Sequence, residues 1–107
     1  MIGKIVTVTV DRAMGTYHPN HPDMLYPINY GYIKGIMAPD GEEQDAYILG
    51  VSEPLKEFTG KVIAIIHRND DIEDKWVVAP ENIMISKEMI LNETHFQEQY
   101  FDSFIEM

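Results

Sequence analysis

With 107 residues, 18 acidic against eight basic side chains and a formal charge of −10, the chain lacks the basic surface that nucleic acid or an anionic membrane would require. The length suits one domain, residues 1–107, with a single modest core, and the absence of cysteine removes disulfides and thiolate chemistry. No apolar run approaches the ~18 residues of a membrane span, and Met1-Ile2-Gly3-Lys4 leads into an alternating segment instead of the apolar stretch of a signal peptide, so the expected location is cytoplasmic.

Lys4-Ile5-Val6-Thr7-Val8-Thr9-Val10 alternates with period two, placing Val6, Val8 and Val10 on one face, and predicts a first, half-buried strand. In Tyr17-His18-Pro19-Asn20-His21-Pro22-Asp23 two prolines oppose regular pairing and predict an irregular loop. Four β-rich runs follow at residues 30–37, 46–51, 61–67 and 75–79, separated by Pro, Gly, Asp or Asn. Five strands with no helix between them predict a mainly β chain, a small antiparallel barrel. Phe96, Tyr100 and Phe104 then recur at i, i+4 and i+8, with Asn92 placed as an N-cap, and predict a C-terminal α-helix packed on the barrel. A shorter helical turn over residues 86–91 precedes it in this reading.

Chemistry concentrates in two acidic turns. Asp40-Gly41-Glu42-Glu43-Gln44-Asp45 crowds four carboxylates into six residues, which repel one another unless water or a hard cation offsets the charge. Gly41 permits the tight backbone that lets carboxylates converge, so oxygen ligation of a divalent ion such as Mg²⁺ is the functional reading and a solvated turn the ordinary one. An EF-hand loop is excluded, since its glycine stands sixth and here it stands second. Asn69-Asp70-Asp71-Ile72-Glu73-Asp74-Lys75 joins two strands; if both turns meet at one barrel mouth, they suit a multi-metal site acting on a phosphoryl group, with Lys75 and Arg12 on phosphate oxygens. Tyr26, Tyr30 and Tyr32 read either as site hydroxyls or as core residues with hydroxyls at the rim. His18 and His21 are three apart with Pro19 between them, which opposes a helical metal clamp; at the mouth they would supply positive charge.

Tyr26-Pro27-Ile28-Asn29-Tyr30-Gly31, the acidic run from Asp40 to Asp45, Gly60-Lys61-Val62-Ile63 and Lys75-Trp76-Val77-Val78-Ala79-Pro80 together resemble the soluble family I inorganic pyrophosphatases over roughly residues 11–101. The resemblance implies a five-stranded OB-like barrel, Mg²⁺ as cofactor, pyrophosphate or a related phosphoanhydride as small-molecule substrate, and a cytoplasmic hydrolase. It further implies that Asp40, Asp45, one of Asp70 or Asp71, and Glu73 are metal ligands. Glu42 would help to activate the attacking water; Arg12, Tyr30, Lys75 and Tyr100 would serve the phosphate side, with Tyr26 lining the pocket. Members of the family are longer, carry Asp where this chain has Glu42 and Glu73, and follow the tyrosine corresponding to Tyr100 with a basic residue where this chain has Phe101. These departures support an alternative, a catalytically weak or inert metal or phospho-ligand binding or interaction module. Phe101, off the stripe of its helix, makes a homo-oligomeric contact plausible as an expectation.

Overall fold

A computed structural model describes residues 1–107. Its strands are β1 (Ile5–Arg12), β2 (Tyr17–His18), β3 (His21–Leu25), β4 (Asn29–Met37), β5 (Glu43–Ile48), β6 (Glu57–Arg68), β7 (Asp74–Ala79) and β8 (Ser103–Glu106), with one helix, α1 (Lys87–Glu98), before β8. Five of them close a barrel in the order β1-β4-β5-β7-β6, with β6 returning to pair with β1. In barrel order this is 1-2-3-5-4-1, the closed OB-like arrangement, and it contains all five predicted strands.

One neighbour relation differs from the expectation of a wholly antiparallel barrel. β5 and β7 run parallel, with Ala46 opposite Trp76 and Ile48 opposite Val78. The chain leaves β5, crosses to form β6 beside β1, and turns back once into β7, so the strand that fills the gap beside β5 points the same way. Period-two patterning reports faces and not direction, so it could not show this. β6 turns the barrel corner by a register shift between Val62 and Ala64, which lets one strand of 12 residues serve β1, β7 and β8.

The later parts of β5 and β7, Ala46-Tyr47-Ile48 and Trp76-Val77-Val78-Ala79, are covered on both sides and so read as unbroken apolar runs. Ala46, Ile48, Trp76 and Val78 face a core shared with Val6, Val8 and Val62. Tyr47, Leu49, Val77 and Ala79 face a second core, which Ile90 of the helix and Ile105 of β8 complete. No helix is long and apolar enough to cross a membrane.

The C-terminal reading needs correction. The helix begins six residues before the expected cap: Ser86, in extended backbone, accepts from Met89 N at 3.1 Å. Asn92 lies exposed inside the helix, which continues from the turn expected at residues 86–91. Tyr100 falls just past the helix end and Phe104 lies in β8, where Ile105 faces inward and Phe104 outward. Three aromatics at helical spacing were compatible with both periods. The proline-containing segment is also more ordered than a loop. Residues 17–25 form a short hairpin with an irregular register at Tyr17 and His18, which lets Pro22 sit in an edge strand.

Two residues of the Tyr-Pro-Ile-Asn-Tyr-Gly segment serve the architecture. Buried Asn29 accepts from Met14 N (2.9 Å) and Leu55 N (3.1 Å) and donates to Glu53 O (2.9 Å), tying two loops to the start of β4. At Gly31, a Cβ would fall 1.9 Å from Thr9 O, so only glycine lets β4 lie this close to β1.

Candidate functional site

The end of β1, the β2–β3 hairpin, the starts of β4, β5 and β7, and the C-terminal turn of α1 surround a cavity of about 810 Å³. Sequence-predicted Arg12, Tyr26, Tyr30, Asp45, Glu73, Lys75 and Tyr100 all line it. His18 and His21 of the hairpin form its lip, with ring centroids 4.8 Å apart.

Asp40, Glu42, Asp70 and Asp71 are not among the lining residues. Asp40 Oδ1 instead accepts from Glu42 N at 3.0 Å within the turn, and the Glu42 side chain is exposed. Both oxygens of Asp70 lie 3.2 Å from Asp102 N, holding the start of β8. Asp71 accepts from Glu73 N at 3.2 Å and sits 3.6 Å from Arg68. Asp45 and Glu73 reach the cavity because each stands at the start of a strand that opens onto it.

Those two carboxylates meet fixed cations. Lys75, with a side chain only 3% exposed, places Nζ 2.7 Å from Asp45 Oδ2 and 3.2 Å from Glu73 Oε2. Arg68 Nη1 is 3.1 Å from the same Glu73 oxygen. Burial alone would depress the Lys75 ammonium, but Tyr30 and Asp45 beside it outweigh that penalty and its pKa rises. Tyr30 lies over the lysine, its ring centroid 5.6 Å from Nζ, and burial raises its hydroxyl well above the ordinary range. Tyr26 is likewise raised by burial; its hydroxyl donates to Gln97 Oε1 at 3.1 Å. Both phenols therefore stay protonated near neutrality.

Arg12 differs from Lys75 in having an unused donor. Its Nη1 donates to the Asp11 carbonyl oxygen at 3.4 Å and lies 3.6 Å from the Asp11 carboxylate, while Nε is buried without an acceptor. A covered N–H without a partner at the wall of a cavity calls for an oxygen from outside the chain. Asp11, missed in the sequence, also lines the cavity; partial burial lifts its carboxyl above the usual range despite Arg12. Arg68, likewise missed, was legible only as the unusual basic end of the apolar run Ile65-Ile66-His67.

The implied Mg²⁺ does not fit the donors as they are arranged. No group of three or more His, Asp or Glu side chains gathers to hold a metal. Asp45 and Glu73, the two predicted ligands that line the cavity, are both paired with Lys75, and Glu73 with Arg68 as well.

Among solved structures, the chain is similar to the inorganic pyrophosphatase of Coxiella burnetii, at 20% identity and a TM-score of 0.70 over 94% of this chain and 79% of that one. It is similar to that of Ehrlichia chaffeensis at 15% identity and a TM-score of 0.73, covering 99% and 87%. For the Helicobacter pylori enzyme the values are 14% identity, a TM-score of 0.65, and 96% and 81% coverage. No protein-family model matches the chain, and no curated protein sequence does. The likeness is one of fold: the chain has a barrel like that of these pyrophosphatases.

Proposed function

We propose that the cavity holds inorganic pyrophosphate or a closely related phosphoanhydride and that the chain hydrolyses it. The observation that carries this reading is the convergence of Arg12, Tyr30 and Lys75, with Tyr26 and Tyr100, in one cavity of a pyrophosphatase-like fold. Arg12, Lys75, Tyr30 and Tyr100 are hydrogen-bond donors suited to phosphate oxygens, Tyr26 lines the pocket with its hydroxyl on Gln97, and the Arg12 Nε has no acceptor within the chain.

Positioning and charge carry such a reaction. Arg12 and Lys75 grip the outer phosphate oxygens, and the Tyr30 and Tyr100 hydroxyls donate to them. Water attacks one phosphorus, the bridging P–O bond breaks with its electron pair, and the leaving phosphate takes its charge toward Arg12 and Lys75. Asp11, with its raised pKa and place in the cavity, is the residue we assign to accept the water's proton. Glu42, Asp40, Asp70 and Asp71 have no part in this scheme. A second reading, binding without cleavage, is favoured by the engagement of Asp45 and Glu73 with Lys75 and Arg68.

Phosphate release from pyrophosphate, followed across a Mg²⁺ titration, separates the two readings. Hydrolysis predicts turnover that falls at least tenfold in Asp11→Asn and in Asp45→Asn, the latter also controlling for a contaminating enzyme. Equal and negligible rates in all three proteins, with pyrophosphate still bound, would leave the binding module.

A further inference from the structure

Arg68 ends β6 with its side chain 3% exposed and faces three carboxylates, two from the turn that follows it and one from the helix. Nε and Nη2 grip Glu98 of the helix at 3.1 and 2.7 Å, Nη1 lies 3.1 Å from Glu73, and Asp71 approaches at 3.6 Å. The ring of Phe101 lies 3.6 Å from the guanidinium carbon. With Lys75 between Asp45 and Glu73, the charges form an alternating row: Asp45, Lys75, Glu73, Arg68, Glu98. The Tyr47 hydroxyl closes it by donating to Glu98 Oε2 at 2.7 Å.

Carboxylates gathered at a phosphate-type cavity are ordinarily neutralised by a hard divalent ion. Here a guanidinium does it from within the chain. It is permanently charged and rigid in its donor geometry, and neither a chelator nor ordinary pH removes it. One Glu73 oxygen, Oε2, accepts from both cations at once.

We infer that Arg68 is the resident cation of this site: with Lys75 it takes the place of a protein-held divalent metal, so the free protein binds no divalent ion there and a phosphoanhydride binds without one. The second half rests on the phosphoanhydride reading of the cavity. The ligand then meets Arg12, Lys75 and tyrosine hydroxyls, and Arg68 acts as a positioning residue that keeps Glu73 and Glu98 neutralised.

The test has two arms on the full chain. Mn²⁺, as a paramagnetic probe, is titrated without ligand and followed by electron paramagnetic resonance. Pyrophosphate is titrated calorimetrically, once with excess chelator and once with Mg²⁺. The inference predicts no tight Mn²⁺ site in the wild type and pyrophosphate affinities that agree within about threefold between the two conditions. Arg68→Gln, which removes the cation from Glu98 and one of the two cations from Glu73, is expected to gain a Mn²⁺ site and to need Mg²⁺ for pyrophosphate. If that variant does not fold, Lys75→Gln, which releases Asp45 and leaves Glu73 to Arg68 alone, carries the same expectation for Mn²⁺. Tight Mn²⁺ binding by the wild type, pyrophosphate binding only with Mg²⁺, or a folded variant that gains no Mn²⁺ site would each overturn the inference. Loss of pyrophosphate binding in both conditions would instead overturn the phosphoanhydride reading and the metal-free binding built on it, while the Mn²⁺ arm still decides whether Arg68 is the resident cation.

Discussion

Lys75 is held by Asp45 and Glu73 in a place with almost no solvent, so its removal strands Asp45 and leaves Glu73 to Arg68 alone. Breaking a buried pair from one side typically costs about 3–5 kcal/mol. Lys75→Met is expected to lose roughly that much in urea unfolding; a loss below about 1 kcal/mol would show that Arg68 alone suffices. The sign of the pH dependence follows from the raised Lys75 pKa. Its contribution is complete below the unfolded lysine value near ~10.4 and is lost as pH rises through the higher folded value. At this scale the sequence was partly legible. Asp45, Glu73, Lys75 and Arg12 were picked out because charge beside a turn is visible in one dimension. Asp11, Arg68 and Glu98 were not, because their roles depend on contacts between distant segments, Arg68 with Glu98 above all.

Element by element, the strands were legible where one face alternates, as in β1, and where apolar runs are bounded by turn residues, as in β5 and β7. The β5–β7 direction, β8 and the helix start were not, since each is decided by what the segment packs against. The motif glycine makes the point at one pairing. Gly31→Ala would drive a methyl into the Thr9 carbonyl, and we expect a loss of roughly 3 kcal/mol in thermal or urea unfolding, whereas an unchanged midpoint would contradict the close β1–β4 approach. The β2–β3 hairpin carries a prediction on binding. His18 Nδ1 accepts from Asn20 N at 3.0 Å, which leaves the neutral ring's proton on Nε2. Burial, His21 and Arg12 lower the His18 pKa below its ordinary 6.5, so the ring charges only on the acid side of that value. Protonation adds positive charge at the lip of the cavity, and pyrophosphate affinity is expected to rise as pH falls through this range. In the His18→Ala/His21→Ala variant that rise should vanish and the Michaelis constant should increase; an unchanged constant and pH profile would remove the hairpin from ligand binding.

Taken whole, the molecule places a small set of cations in a chain of net charge −10. Of its two arginines, one faces the cavity with an unused donor and the other is bonded to carboxylates on three sides. The barrel supplies the geometry. β1, β4, β5, β6 and β7 each bring a charged or phenolic side chain to the same opening, and the row through Arg68 and Glu98 fastens the helix across it. The most direct measurement is a titration of pyrophosphate into ¹⁵N-labelled protein, observing the two arginine Nε–H signals, assigned with Arg12→Lys. Saturable movement of the Arg12 signal, with that of Arg68 nearly still, is the predicted result. A still Arg12 signal at saturating pyrophosphate would contradict the assignment of this cavity as a phosphoanhydride site.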